Sequence, residues 1–203
     1  MTPPPALTGT STGTGTGTPR GAGGRAGADV VAEAVSTPPV PLDTDHVIRV
    51  DSPIGRIEVT SDGSAITSLS IERDGALPHD GQPDAGDEVL SEAARQLGEY
   101  FAGSRQEFDL PLSLGGTAFQ RAVWSELDGI RWGQSRSYGD IGMATGRPTA
   151  GRAVGGAIGA NPIPIIVPCH RVLASDRRIT GYSAGAGIPT KLWLLDHEGV
   201  DHR

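Results

Sequence analysis

Alternating apolar and polar positions mark the start of the folded chain and predict an antiparallel sheet. Residues 47–50 form a short apolar-rich run, and segments 56–60 and 66–71 alternate between apolar and polar side chains. The stretch SPIG at 52–55 predicts a turn, and Asp62-Gly63 is typical of a hairpin. The period of two therefore indicates an antiparallel meander in the first half of the chain.

A helical period follows the strands. From Glu88 to Phe101 the apolar residues recur every three or four positions, and Gly103 predicts the end of that helix. Residues 78–86 are polar and predict a loop, whereas 108–112 predict a last strand or an extended linker. The helical face that we expect to be buried consists of Val89, Ala93, Ala94, Leu97 and Phe101.

The second half of the chain predicts mainly helices. Thr117 is a favourable N-cap for a helix that carries Phe119, Val123, Trp124 and Leu127. Residues 138–145 predict a short helix, and Thr149 is expected to cap another that runs through Ile158. Two short helices joined by a turn are typical of a helix-turn-helix. A last helix is predicted at 190–197.

One stretch, NPIPIIVPCHRV at 161–172, follows neither period. Its prolines remove backbone donors and fix φ, so we predict a stiff, extended, buried segment rather than a helix. It carries the only cysteine of the chain, Cys169, followed by His170. A thiol becomes a nucleophile when a base or a positive charge lowers its pKa. Neighbours in sequence are not always neighbours in space, so the dipeptide alone leaves open a small buried cysteine with no chemistry.

Composition separates a tail from the folded chain. Residues 1–44 hold Thr-Gly repeats, a Gly/Ala stretch and PPVP, and they predict a disordered low-complexity tail. We expect two domains after it, at 45–114 and 115–203. A single cysteine excludes an internal disulfide framework and a multi-cysteine zinc site, and it suits a reducing compartment, so we expect a cytoplasmic protein. No apolar run is long enough to predict a membrane span.

Charge is divided unevenly along the chain. The net charge is −7, but residues 1–116 carry 7 Lys and Arg against 17 Asp and Glu, whereas residues 117–203 carry 10 against 7. Contacts to phosphates supply most of the affinity of proteins for DNA. The basic second half therefore predicts weak, salt-sensitive DNA binding, with the acidic half facing away from the duplex.

Several separated motifs match one known family. NPIPIIVPCHRV, with SYGDIG and GRAVGGAIGANP before it and GYSAG and KLWLLDHEG after it, resembles the O6-alkylguanine-DNA alkyltransferases (methylated-DNA–protein-cysteine methyltransferases) over about residues 119–199. The resemblance implies an α/β N-terminal ribonuclease-H-like domain and a mostly α, winged helix-turn-helix-like alkyltransferase domain. It also implies a monomer that needs no metal or cofactor and acts on double-stranded DNA containing O6-alkylguanine. The base is flipped out and its alkyl group passes once, irreversibly, to the cysteine; O4-methylthymine is a second candidate substrate.

The resemblance also implies roles for individual residues. Cys169 would be the nucleophile and permanent alkyl acceptor, His170 the general base acting through a water, and Glu198 the group that orients and charges the imidazole. Asn161 would hold the cysteine segment by side-chain hydrogen bonds. Tyr138 would donate its hydroxyl proton to the leaving guanine.

Further roles concern DNA and the alkyl pocket. Arg152 would enter the base stack where the guanine has left, with Ala150 and Gly155 as the other DNA-binding positions, and an ordinary phosphate contact is its alternative role. Val172, Ser183 and Lys191 would form the substrate pocket. The chain departs from the family at Gly159, where some relatives have a basic residue, and in the 183–190 loop, which is longer than usual.

Two other functions stay open on the sequence. A module that senses alkylated bases without turnover is one, but relatives of that kind lack the cysteine that this chain has. A Cys–His hydrolase is the other, and it would need an oxyanion hole and would have no use for a helix-turn-helix. The number of methyl groups removed per protein molecule distinguishes these functions. It is one for an alkyltransferase, none for a sensing module and many for a hydrolase.

Overall fold

The computed structural model describes residues 46–203, and the tail predicted at 1–44 lies outside the described residues. Its first element is an antiparallel sheet of β1 (His46–Val50), β2 (Ile57–Ser61) and β3 (Ile66–Ile71), in the order β1-β2-β3. This is the predicted meander, with strand bounds that differ by one residue. All five residues of the central strand, β2, are buried.

The helix that follows, α1 (Glu88–Phe101), has the predicted bounds but a different buried face. Val89, Ala94 and Phe101 are only half-buried, and the buried side chains are Leu90, Ala93, Gln96, Leu97 and Tyr100. The prediction was right for Ala93 and Leu97 and wrong for the other three residues, and it missed Leu90 as well as two residues with polar ends. Two polar-ended side chains are buried with their hydrogen bonds satisfied: Gln96 exchanges two bonds of 2.8 Å with the backbone of Asp109, and the Tyr100 hydroxyl donates to Glu198 at 2.7 Å.

The rest of the chain is mostly helical, as predicted. The elements are α2 (Ala118–Asp128), β4 (Arg136–Ser137), α3 (Tyr138–Ala144), α4 (Gly151–Gly159), a 3₁₀ helix (Cys169–Arg171), β5 (Val172–Leu173) and α5 (Ile188–His197). Thr117 caps α2 through a capping box with Gln120, as expected. Strands β4 and β5 pair in parallel, whereas 108–112 forms no strand and touches β3 only at a bridge from Leu112.

The predicted cap at Thr149 is wrong. Ala150 is the N-cap of α4, and its side chain makes no capping hydrogen bond. The connection from α3 closes with a turn in which the Ala150 amide donates to Arg147 O at 3.1 Å, so Thr149 lies inside the turn rather than at the helix start. Arg147 also stacks on the Phe119 ring at 4.6 Å, which fixes this turn against α2.

One large hydrophobic cluster extends through both halves, and a second, smaller cluster consists of Leu173, Leu195 and Val200. The large cluster joins β2, β3 and α1 to α2, α4 and the 163–172 segment, which is buried throughout. The cysteine segment therefore lies in the interior, with the sheet half on one side and the helical half on the other. In the described part of the chain, no helix combines the length and the apolar character that crossing a membrane requires.

Candidate active site

The cysteine segment is buried as predicted, but it is not extended throughout. Ile165 has a φ of 74°, and the chain turns there before it enters the 3₁₀ helix that begins at Cys169. A left-handed conformation is costly for a β-branched residue, so surrounding contacts must hold it. Asn161 provides two: its Nδ2 donates to Val167 O at 2.8 Å, and its Oδ1 accepts from Ile163 N at 3.1 Å. The expected role of Asn161 as a clamp agrees with these contacts.

Cys169 lies at the wall of a cavity of about 280 Å³. The cavity is formed by the start of α3, the last turns of α4 and the irregular segment 180–183 before α5. Its other lining residues are Tyr138, Gly155, Ile158, Gly159, Thr180, Gly181, Tyr182, Ser183 and Lys191. The thiol is 4 % exposed and contacts Tyr182 Oη at 4.0 Å. The sulfur is thus almost wholly buried at the wall of a small, partly open cavity.

Burial raises the pKa of the Cys169 thiol. Hydrogen bonds with Asn161 and Tyr182 and the charge of Lys191 act in the opposite direction but do not overcome it. The resting sulfur is therefore a protonated thiol, which is a weak nucleophile. Any reaction of Cys169 near neutral pH needs a base that takes its proton as the sulfur attacks.

His170, the next residue in the chain, is the candidate for that base. It is fully buried, and its Nε2 lies 2.9 Å from Oε1 of Glu198. Because a carboxylate can only accept, Nε2 carries the proton and Nδ1 carries the lone pair. Nδ1 is buried and has no hydrogen-bond partner among residues 46–203. Burial lowers the pKa of His170 against the opposing effect of Glu198, so the imidazole is neutral and able to accept a proton.

Glu198 is the most heavily bonded side chain of the site. Its Oε1 accepts from His170, from Tyr100 Oη at 2.7 Å and from Arg171 Nη2 at 2.9 Å, and its Oε2 accepts from Arg171 Nε at 2.6 Å. Burial alone would raise the pKa of Glu198, but the hydrogen bonds and charges of His170 and Arg171 lower it to about 2. The group is a carboxylate at every physiological pH.

Sequence reasoning missed Arg171 and Tyr100. Arg171 directly follows the Cys-His pair, so its position was a signal that could have been used. Tyr100 is 98 positions from Glu198 along the chain, and nothing in its spacing indicated this contact.

Lys191 also lies at the cavity but is tied to the backbone behind it. Its Nζ donates to Val172 O at 2.6 Å and to Gly181 O at 3.4 Å, and burial lowers its pKa to about 8. Val172 is buried in β5, its amide donates to Cys169 O, and it does not line the cavity. The structure therefore places Val172 behind the pocket wall rather than on its surface.

The loop at the mouth of the cavity is shorter than predicted. The last helix begins at Ile188 rather than at Thr190, so the connection is limited to 183–187. Ser183 lines the cavity and donates from Oγ to Gly159 O at 2.9 Å. Arg73, at the end of the sheet, donates to Ser183 O at 2.7 Å and to Gly185 O at 2.9 Å. These contacts fix the loop from both sides.

The residues expected to meet DNA lie on α3 and α4. Tyr138 is the first residue of α3, and its hydroxyl, which faces the cavity, accepts from Thr180 Oγ1 at 3.4 Å. Arg152 is exposed in the first turn of α4, one turn before Gly155 at the cavity edge, and Ala150 precedes the helix. Arg152 and Gly155 are three positions apart on α4, so the exposed arginine lies within one helical turn of the cavity lining.

Comparison with known proteins identifies the family. Residues 118–200 match the family described as 6-O-methylguanine DNA methyltransferase, DNA binding domain, and residues 47–114 match its ribonuclease-like domain. The chain belongs to the 6-O-methylguanine DNA methyltransferase family. Its sheet half and its helical half correspond to the two parts of the methyltransferase that these descriptions name.

Individual relatives of this methyltransferase family cover most of the chain. A methylated-DNA–protein-cysteine methyltransferase of Mycobacterium tuberculosis is 46 % identical over 155 residues, covering 75 % of this chain and 92 % of the relative. The constitutive enzyme of that name from Bacillus subtilis is 40 % identical over 168 residues, covering 78 % and 98 %. The crystal structure of Mycobacterium tuberculosis OGT in complex with DNA has a TM-score of 0.68 and 44 % identity, covering 76 % and 92 %.

Proposed function

We propose that this protein repairs DNA by moving the alkyl group of O6-methylguanine onto Cys169 in a single turnover. The transfer of an alkyl group from DNA to a protein cysteine is the activity for which its relatives are named. The observation that carries the proposal is the buried series Cys169, His170 and Glu198, with Cys169 at the wall of a small cavity and the imidazole bonded to the carboxylate. O4-methylthymine is a second candidate substrate.

The proton of the thiol goes to His170. Glu198 holds the imidazole with its Nε2–H bonded, so the lone pair on Nδ1 accepts the proton, relayed by one water. The sulfur forms a bond to the methyl carbon as the bond from that carbon to O6 breaks. The anionic Glu198 stabilises the imidazolium that forms, which is the part that a carboxylate plays in a catalytic triad.

The leaving guanine takes the electron pair of the broken bond and needs a proton. The Tyr138 hydroxyl faces the cavity and accepts from Thr180, which leaves its own proton available to the base. The guanine gains its proton from Tyr138 and Cys169 loses one to His170; the imidazolium then returns a proton to the Tyr138 phenolate through solvent, so the reaction is neutral overall. The thioether that forms is not cleaved again, which makes the reaction irreversible and limits it to one alkyl group per protein.

Helices α3 and α4 form the helix-turn-helix of this proposal, within a winged helix-turn-helix-like domain at 115–203. The ribonuclease-H-like domain is placed at 45–114. We place the duplex against α4, whose small residues allow a close approach to a backbone. The protein is proposed to act as a monomer in the cytoplasm, where a free thiol stays reduced.

Replacing Arg152 with alanine is expected to slow repair in duplex DNA by about 10- to 100-fold, because the arginine stabilises an extruded base whose unstacking costs a few kcal/mol. Reaction with free O6-benzylguanine should stay within about twofold of the parent rate, since a free base needs no extrusion. Single-turnover rates on both substrates measure the two effects.

Arg152→Lys is the matched control for this prediction. Lysine keeps the charge for a phosphate contact but lacks the planar group that fills a base stack. If lysine restores the duplex rate, Arg152 is an ordinary phosphate contact. Equal slowing on duplex and free base would place Arg152 in the chemistry or in the fold, and would contradict its role in extrusion.

A base-sensing module without transfer is the second candidate. It would need the alkylated base to be held without reaction, yet the thiol lines the same cavity as Tyr138 and Ser183. The hydrolase alternative would need an oxyanion hole, and no specific observation at the site favours it. The presence of the thiol at the cavity wall therefore favours transfer.

A further inference from the structure

The sheet half reaches into the reaction site through one side chain, Tyr100. It is the second-to-last residue of α1, is fully buried, and its hydroxyl lies 2.7 Å from Oε1 of Glu198. This is the same oxygen that accepts from His170 Nε2 at 2.9 Å. The phenol and the imidazole therefore share one acceptor atom.

The position of the Tyr100 hydroxyl is fixed by its surroundings. The ring contacts four other rings, with centroids between 5.2 and 5.4 Å away, those of Phe101, Phe108, Trp132 and His197. The Tyr100 carbonyl also accepts a hydrogen bond from Nε2 of His197 at 2.8 Å, and His197 directly precedes Glu198 in the sequence. A ring packed in this way has no freedom to turn its hydroxyl elsewhere.

Sharing an oxygen has an electrostatic consequence. Each donor draws negative charge from Oε1, so each hydrogen bond to that oxygen weakens the hydrogen bonds that Oε1 accepts from the other donors. Tyr100 and Arg171 thus limit how strongly Glu198 attracts a proton to His170. An imidazole bound too tightly to its carboxylate would be protonated at rest and unable to act as a base.

The geometry points to Tyr100 as a positioning residue that, by donating to Oε1 of Glu198, keeps His170 neutral and fixed for proton transfer. This inference rests on the proposed role of His170 as the general base. Its consequence is that the sheet half contributes to the reaction and does more than support the helical half.

Tyr100→Phe tests this with the smallest possible change, since the ring stays and only the donor is lost. The pH at which His170 titrates, followed by NMR of the ¹⁵N-labelled full-length chain, should rise by roughly half a unit to one unit, as expected for one hydrogen bond lost from a shared carboxylate. The charged groups that act on His170 are Arg171 on the 3₁₀ helix, Lys191 on α5 and Glu198 at the C-cap of α5. These groups, and Cys169 before His170 in the chain, are all unchanged in the variant.

Activity gives a second readout. Neutral His170 is the reactive form, so the acid limb of the transfer rate should move to higher pH with the titration, and the variant should lose a larger share of its pH 8 rate at pH 6. If His170 titrates at a higher pH but the acid limb stays, the assignment of His170 as the base fails while the inference about Tyr100 stands.

Phe108→Leu is the matched control. Phe108 packs on the Tyr100 ring at 5.4 Å but has no polar atom to reach Glu198. We expect it to lower the melting temperature and leave the titration of His170 unchanged. The inference is overturned if Tyr100→Phe leaves the His170 titration at its parent pH, or if Phe108→Leu shifts it by as much, since either result would give Tyr100 a packing role only.

Discussion

Cys169→Ala is expected to abolish alkyl transfer completely while DNA binding persists. The side chain provides the only thiol of the chain, so no other cysteine can replace it. DNA affinity is set mainly by contacts to phosphates, and a nearly buried thiol is not a group that makes them. Transfer is measured with radiolabelled O6-methylguanine duplex, and binding with the same duplex by fluorescence anisotropy.

The variant should also stay folded. Losing one sulfur from a site that is 4 % exposed should cost about 1 kcal/mol of unfolding free energy. Cys169→Ser, which keeps the size of the side chain, is the control for this small cavity and should be equally inactive. Methyl removal by either variant would show that the acceptor is not Cys169.

Glu198→Gln is the second change with a large expected effect. The amide keeps the shape of the side chain but removes the charge that stabilises an imidazolium on His170, so we expect the transfer rate to fall by at least about 100-fold. The amide also leaves the guanidinium of Arg171 buried without a counter-charge. Breaking a buried pair in this way costs about 3 to 5 kcal/mol of unfolding free energy.

The dependence of this loss on pH follows from the lowered pKa of Glu198. The carboxylate contributes stability above its unfolded value near 4.5, and that contribution disappears as the pH falls toward about 2. The stability difference between the parent and Glu198→Gln should therefore be full at pH 7 and shrink over that acid range. Denaturant melts at several pH values measure it.

Glu126→Gln serves as the control for Glu198→Gln. It breaks a comparable ion pair, with Arg136 at 2.8 Å, but one whose side chains are about one-third exposed. Such pairs contribute at most about 1 kcal/mol, and this one lies away from the thiol. Equal losses of stability in the two variants would contradict the account of Glu198 as a buried anion held by His170 and Arg171.

Helices and strands could be predicted because the spacing of apolar residues along a short segment largely determines which of the two it forms. The alternation at 66–71 and the helical period at 88–101 depend on which side chains face the core, and both bounds were confirmed. The buried face of α1 was predicted only in part: Ala93 and Leu97 are buried as expected, whereas Gln96 and Tyr100 are buried through polar contacts. Those contacts come from distant segments, and periodicity carries no information about them.

For the site, too, the residues could be predicted from local motifs, whereas their arrangement could not. Cys169 and His170 stand together in one motif, and Glu198 in another, so a resemblance could indicate all three. Their geometry could not be predicted: the turn at Ile165, with its φ of 74°, and the sharing of one carboxylate oxygen by Tyr100 and His170 arise only when the two halves pack. Residues that act through another side chain, as Tyr100 does, belong to no motif and are therefore the hardest to predict from a sequence.

The intact mass of the protein after incubation with O6-methylguanine duplex tests the central claim most directly. We predict that each molecule gains one methyl group in place of one proton, that the gain stops at one equivalent, and that peptide mapping places it on Cys169. An unchanged mass with bound DNA, a methyl group on another residue, or continued repair beyond one equivalent would contradict the account.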